Sequence, residues 1–296
     1  MRIAAVASLA ACLIAAGCGG SSSAKEEPEA QTLEALWRAP GEDVAIVPGS
    51  ADFGPGQVRF TFLVVDGQSR LVSRPTAKIW LARGLKSVPF AQTTARSEPI
   101  GVSGSEPGEA EAVFVANLQL DEPGTYWLLA EPVGGRKIQA VGNVVVKEKT
   151  AAPDVGARAI PSKTPTLRTS TLEQLTTSTK PDRKLYESSV AEALAAKSSF
   201  AVVFATPKYC ASGTCGPVVE VVSDVRREHA EDGTRFIHVE IYEDNDPTKG
   251  ENRWVKEWNL PSEPWVFAVG ADGKIRDRFE GTVSVRELDS AVGEIG

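Results

Sequence analysis

The chain has 296 residues, a net charge of −7 and 42% hydrophobic residues. That length accommodates two domains of ordinary size, each able to bury its own core. The acidic balance, with no basic cluster to offset it, excludes nucleic acid as a partner.

The N-terminus has the form of an export signal. Arg2 precedes an apolar run from Ile3 to Ala16 that is too short and too abruptly ended to cross a bilayer. The run closes on Leu13-Ile14-Ala15-Ala16-Gly17-Cys18, and Gly19-Gly20-Ser21-Ser22-Ser23 follows as a flexible stretch. This junction resembles a bacterial lipoprotein lipobox. The resemblance implies that residues 1–17 are a lipoprotein signal peptide, that Cys18 carries the lipid, and that residues 18–32 are a tether. The mature protein is then expected on the extracytoplasmic face of the cell membrane, held there by its lipid anchor.

Residues 33–148 alternate with the period of strands. Val58, Phe60, Phe62 and Val64 interleave with Arg59, Thr61 and Leu63; Ile79 and Leu81 flank Trp80; Val113 and Val115 flank Phe114; and Ile138 to Val146 alternates again. Turn pairs at Asp66-Gly67, Pro107-Gly108, Pro123-Gly124 and Gly134-Gly135 punctuate these runs. Short strands at such spacing, without helical stretches between them, predict a β-sandwich. The segment Leu120 to Tyr126 resembles the tyrosine-corner turn of immunoglobulin-like domains, and by that likeness Trp80 is the candidate buried tryptophan of an earlier strand. No catalytic constellation occurs in this half, so its expected role is binding or spacing.

Residues 149–183, rich in Pro, Thr, Ser and Lys, read as linker and lead-in. From 184 to 296 the pattern changes. Leu185 to Lys197 reads as a helix, Phe200 to Ala205 as a strand buried on both faces, and Gly216 to Ala230 as a helix. Arg235 to Tyr242 follows as a strand, Lys249 to Trp258 as a helix, and Pro264 to Val269 with Lys274 to Glu280 as a hairpin around Ala271-Asp272-Gly273. Val285 to Ile295 closes the chain as a helix. The acidic run Glu240, Glu243, Asp244 and Asp246 reads as a solvated turn at a strand end.

Once the signal peptide is cut and Cys18 is lipidated, Cys210 and Cys215 are the remaining thiols. Two cysteines so close in an exported protein are expected to pair. Cys215 precedes Gly216-Pro217 at a helix start, where exposed N–H groups and the helix dipole lower a thiol pKa.

Tyr209-Cys210 and Cys215-Gly216-Pro217 resemble the active-site motif of the thioredoxin-like superfamily, and Ser262-Glu263-Pro264-Trp265 resembles its cis-proline loop. The spacing here is Cys-x4-Cys, and Val218 stands where the family's second cysteine would follow Gly-Pro. Either Cys210 or Cys215 therefore aligns with the nucleophile, and the helix start favours Cys215. The family's buried acid on the central strand has no counterpart among Ala201, Val202, Val203 and Phe204.

The resemblances together imply a multidomain chain, an all-β immunoglobulin-like sandwich followed by an α/β thioredoxin-like domain. They further imply catalytic Cys210 and Cys215 in a groove lined by Tyr209, Gly216, Pro217, Glu263, Pro264 and Trp265, with a cis bond at Pro264. The implied function is membrane-anchored exchange of thiols and disulfides with exported client proteins or a thiol redox partner, with no cofactor and no metal. A non-catalytic binding module with a structural disulfide is the alternative. A copper-binding chaperone is the further one, for which the only histidines are His229 and His238.

Overall fold

The structure, a computed structural model, describes residues 31–39, 42–102, 111–133 and 138–296. The signal peptide, the lipobox with Cys18, and the turns at Pro107-Gly108 and Gly134-Gly135 lie outside the described residues. Among the described residues no helix is long and apolar enough to cross a membrane.

The first half begins with a short helix, α1 (Leu33–Trp37), whose first turn is capped by the Thr32 hydroxyl accepting from Ala35 N–H. Seven strands follow: β1 (Glu42–Pro48), β2 (Gly56–Asp66), β3 (Thr76–Ala82), β4 (Ala91–Pro99), β5 (Ala112–Leu120), β6 (Gly124–Val133) and β7 (Ile138–Val146). They close into a barrel in the order β1-β2-β5-β4-β3-β6-β7. Closure comes from a parallel pairing of β1 with β7, from Glu42↔Ile138 to Ala45↔Val141. The alternation read in β2 sends Val58, Phe60, Phe62 and Val64 inward, where Phe62 stacks between Phe60 and Phe114 at 5.2 Å on either side. Tyr126 donates its hydroxyl to the Glu122 carbonyl at 2.8 Å, so the expected corner forms. Trp80 does not enter the core. It is half-buried on the outer wall, packed with Trp37 and Trp127 around Leu33 of α1.

Residues 147–186 wrap the second half rather than crossing open solvent. Gly156 and Ala159 donate to the Ile275 and Gly273 carbonyls, and Ser162, Thr164 and Thr166 are buried. Two short elements lie here, α2 (Leu172–Leu175) and the 3-10 turn Arg183–Tyr186. Then come α3 (Val190–Ala195), β8 (Phe200–Phe204), α4 (Cys215–Glu228), β9 (Arg235–Val239), α5 (Arg253–Glu257), β10 (Trp265–Val269), β11 (Ile275–Glu280) and α6 (Val285–Gly293). The strands form one sheet in the order β11-β10-β8-β9, parallel only between β8 and β9.

The unbroken apolar run of β8 is explained by covering on both sides. Ala201 and Val203 meet α4 and α6, while Phe200, Val202 and Phe204 meet Val190, Val255 and Trp258.

The expected fold class, an immunoglobulin-like sandwich followed by an α/β thioredoxin-like domain, is overturned. The first half has no free sheet edges at β1 and β7 and is a closed barrel. The second is a small four-stranded sheet with mainly antiparallel pairing. Periodicity marks which residues of a strand face inward, and it carries no information on which strand edges meet.

Charged side chains join the halves. Asp52, in the β1–β2 loop, has a carboxylate 1% exposed that accepts from Ala151 N–H at 2.7 Å, Ala152 N–H at 3.0 Å and Arg278 Nη2 at 2.8 Å. Arg59 of β2 forks onto Glu287 of α6 at 2.8 and 2.9 Å. Removing one partner of a buried pair leaves the other charged and unpaired, which costs about 3–5 kcal/mol. Arg278→Ala is therefore expected to lower the unfolding free energy by about 3 kcal/mol in urea titrations, against no more than about 1 kcal/mol for the exposed Arg70→Ala.

Candidate functional site

β8 ends at Phe204, and residues 205–214 turn the chain into α4. The turn brings Cys210 back over the helix start, where Cys210 and Cys215 form a disulfide with Cα atoms 5.9 Å apart. Gly213, at φ +69°, is in the left-handed region that this reversal needs and that glycine adopts at no steric cost. The two sulfurs differ in environment. Cys215 is 0% exposed and belongs to the core beneath α4, whereas Cys210 is half-buried at the surface. The Cys215 N–H donates to Cys210 Sγ at 3.2 Å, and the Ser212 hydroxyl lies 3.2 Å from the same sulfur. The positive end of the helix thus acts on Cys210. The sequence reading favoured Cys215 as attacking thiolate because it starts the helix, but its sulfur is the enclosed one.

Tyr209 sits beside Cys210 with its ring 6.5 Å from that of Tyr242. Gly216 and Pro217, in the first turn of α4, remain half-exposed beside the disulfide. Across from them the Glu263–Pro264 peptide bond is cis, as the loop's sequence led one to expect. Pro264 is buried and its carbonyl accepts from Gly281 N–H at 2.9 Å. Trp265 is not brought to the cysteines. It faces the opposite side of the sheet, fully buried, stacked 5.5 Å from Phe267 and covered by Arg278 at 4.7 Å.

Glu263 is the group that sequence reasoning undervalued. One of its carboxylate oxygens and the two sulfurs all lie within 4.8 Å of one another. This is the one grouping of three metal-capable side chains found among the described residues, and with both sulfurs bonded to each other it offers a cation a single carboxylate, too few to hold one. Burial, then repulsion from Glu240 and Glu251, pushes the Glu263 pKa up to about 7, with a hydrogen bond to Tyr242 working the other way. Its Oε2 is enclosed without a hydrogen-bond partner, and so is Oε2 of Glu240.

Glu240 was expected in a solvated turn. It is 6% exposed, and its other oxygen accepts from Thr177 N–H at 2.5 Å and Thr177 Oγ1 at 2.8 Å. No signal in the sequence separates it from its exposed acidic neighbours, because its burial depends on a segment more than sixty residues away.

The histidines are committed elsewhere. His238 is buried with Nε2 2.9 Å from the Ala205 carbonyl and Nδ1 2.7 Å from the Tyr186 hydroxyl. A carbonyl only accepts, so Nε2 carries the proton and Nδ1 accepts from the tyrosine; burial lowers the His238 pKa and keeps it neutral. His229 bridges Asp232 at 2.6 Å and Asp289 at 2.8 Å, tying the end of α4 to α6. Neither ring has a nitrogen free for copper.

The fold and this site define the chain in coarse terms: a β-barrel joined to a small sheet that carries a disulfide at a helix start. No family model matches the chain and no curated protein is similar to it. Among solved structures it is similar to a thiol:disulfide interchange protein of the thioredoxin family from Chlorobium tepidum TLS, at 15% identity over 34% of this chain and 81% of that one, with a TM-score of 0.27. It is also similar to a CARDB domain from Pyrococcus furiosus solved with di-metal ions, at 15% identity over 36% of this chain and 94% of that one, with a TM-score of 0.19. Likenesses at these TM-scores carry no argument about the chain's function.

The raised pKa of Glu263 has a consequence for stability. An acid that binds its proton more tightly folded than unfolded is neutral in sign below the unfolded value of 4.5 and destabilises progressively as pH rises to about 7, because the native state holds the extra proton in that window. Glu263→Gln removes this penalty. The urea midpoint of the variant should rise relative to that of the native chain between about pH 5 and about pH 8. Parallel pH dependences would show that the carboxyl is not disfavoured in the fold.

Proposed function

We propose that this chain is a lipid-anchored protein of the extracytoplasmic face whose Cys210–Cys215 disulfide exchanges with thiols of exported client proteins. The observation that carries the reading is the asymmetry of the pair. A half-buried cysteine at a helix N-terminus, its sulfur receiving a backbone N–H, is joined to a fully buried one. An incoming thiolate reaches Cys210 and not Cys215, and the helix start stabilises negative charge on Cys210 when the bond is open. Tyr209, Gly216 and Pro217 border that sulfur and are the surface a client would meet. The lipobox-like junction ending in Cys18 supports the location, and the mature chain then has no other free thiol to compete.

The second reading, a binding module stapled by a permanent disulfide, is favoured by the burial of Cys215 within the core under α4. The reduction potential separates the two. Alkylation of Cys210 and Cys215 across a glutathione or dithiothreitol series in the full chain should place the potential at roughly −270 to −120 mV, the range of exchanging proteins. A value below about −300 mV marks a structural bond and overturns the exchange reading.

A further inference from the structure

The exchange reading leaves one problem. When a thiolate attacks Cys210 Sγ and the disulfide opens, the departing sulfur is that of Cys215, which is 0% exposed among Val218, Val219 and Val222. The Cys215 N–H and the Ser212 hydroxyl both donate to Cys210 Sγ. An ionised sulfur left in apolar surroundings without a partner is costly, and burial there raises a thiol pKa. The leaving thiolate needs a proton from nearby.

We propose that Glu263 supplies that proton and takes it back, acting as general acid when Cys215 leaves and as general base when it attacks. The inference rests on the exchange reading and adds a residue to it. In the forward step a client thiolate forms a bond to Cys210 Sγ, the Cys210–Cys215 bond breaks, and its electron pair stays on Cys215 Sγ. The Glu263 carboxyl then transfers its proton to that sulfur, leaving a carboxylate and a neutral thiol. In the reverse step the carboxylate removes the proton from Cys215, whose thiolate attacks Cys210 in the mixed disulfide and expels the client thiolate. For the client to be oxidised, its second thiolate attacks the client sulfur of the mixed disulfide and expels Cys210 as a thiolate; a client disulfide forms, the pair keeps the two electrons, and client reduction is the same sequence run backwards.

The geometry supports this role in three ways. The Glu263 carboxylate oxygen lies within 4.8 Å of both sulfurs, a span that one water or a small side-chain rotation bridges. Its Oε2 is buried and unpartnered, a state a carboxyl tolerates better neutral than charged. The groups acting on it are Glu240 beyond β9, Glu251 and the Tyr242 hydroxyl, with the disulfide beside it; the two carboxylates favour the protonated form. A group poised near neutrality is present in both protonation states, which an acid that must also act as base requires. The strand beside the cysteines carries no acid, and the loop before Pro264 brings one to them from another element.

The test is the rate at which dithiothreitol opens the disulfide in the full chain, read by alkylation and mass spectrometry of the Cys210 and Cys215 peptides. Rates between about pH 5.5 and pH 8.5 are divided by the reductant's thiolate fraction. The corrected native rate should fall as pH rises through about 7, where Glu263 loses the proton it donates. Glu263→Gln should be at least tenfold slower at about pH 6 and show no such fall, while Glu263→Asp retains an inflection. Superimposable native and E263Q profiles overturn the proton role and leave exchange standing. A native chain that dithiothreitol opens at no pH overturns exchange, and the proton role with it. Should E263Q fail to fold, as judged by circular dichroism, the native profile decides: a corrected rate flat across neutrality overturns the proposal.

Discussion

The arrangement of this chain depends on a carboxylate enclosed between its halves. Asp52 presents its two oxygens to Ala151 and Ala152 N–H and to Arg278, and a group so buried is tolerable only because each of those donors is in place. The consequence runs outward along β11. Arg278 covers Trp265, the first residue of β10. Glu280, two residues on, accepts from Ala51 and Asp52 N–H with one oxygen and from the Ser262 hydroxyl with the other. Ser262 in turn accepts from Trp265 Nε1. A continuous set of hydrogen bonds thus leads from the barrel's β1–β2 loop to the residue preceding Glu263. At Gly281 the approach is so close that an added Cβ would stand 2.5 Å from the Gly49 carbonyl oxygen. The barrel is a brace for the loop that faces the disulfide.

That brace explains how the site can hold groups that would otherwise disperse. Glu240 and Glu263 repel each other, and each has an oxygen without a partner. Free loops would turn such carboxylates to water. Here Glu240 is fixed by two hydrogen bonds from Thr177, and the Glu263 loop is fixed from behind by Ser262, Glu280 and the Pro264 carbonyl. The local cost is a concentration of negative charge beside the sulfurs. Rigid placement of groups that disfavour one another is how a folded protein holds a protonation state that solution would not.

Much of the second half was legible because its signals are local. An all-apolar β8 between turns, a Gly-Pro at the start of α4, the Asp272-Gly273 turn and the proline before β10 each act over a few residues, and each element lies close to where the sequence put it. In the first half the inward residues of β2 and β3 and the Tyr126 corner were equally legible, whereas in β5 it is Phe114, and not the flanking Val113 and Val115, that joins the barrel core. What escaped depends on distant pairings. Barrel closure joins residues 42–45 to 138–141, and alternation is identical in a strand whether its edge is open or paired. Helix α1 is five residues long, too short for a period to register, and it exists because Leu33 plugs the space over Ala82 and Leu129. Trp80, being outward on β3, packs against that helix instead of the core. Glu263 was visible as a loop residue, but its chemistry lies in having Glu240, Glu251 and both sulfurs as neighbours, which no spacing in the chain discloses.

On the exchange reading, the same geometry gives the two cysteines opposite tasks. Thiolate character at a helix start depends on N–H groups reaching the sulfur, and the Cys215 N–H reaches Cys210 rather than its own side chain. Cys215 instead lies enclosed and within reach of a carboxyl held near neutrality. A field that favours negative charge therefore acts on the half-buried Cys210, and a carboxyl held near neutrality faces the enclosed Cys215. On the proposed exchange, an anion is favoured at the sulfur to which a client would attach, and Cys215 alternates between the thiol it becomes on leaving and the thiolate that attacks. Residues 211–214 let Cys210 fold back over the helix terminus while Cys215 stays in its first turn.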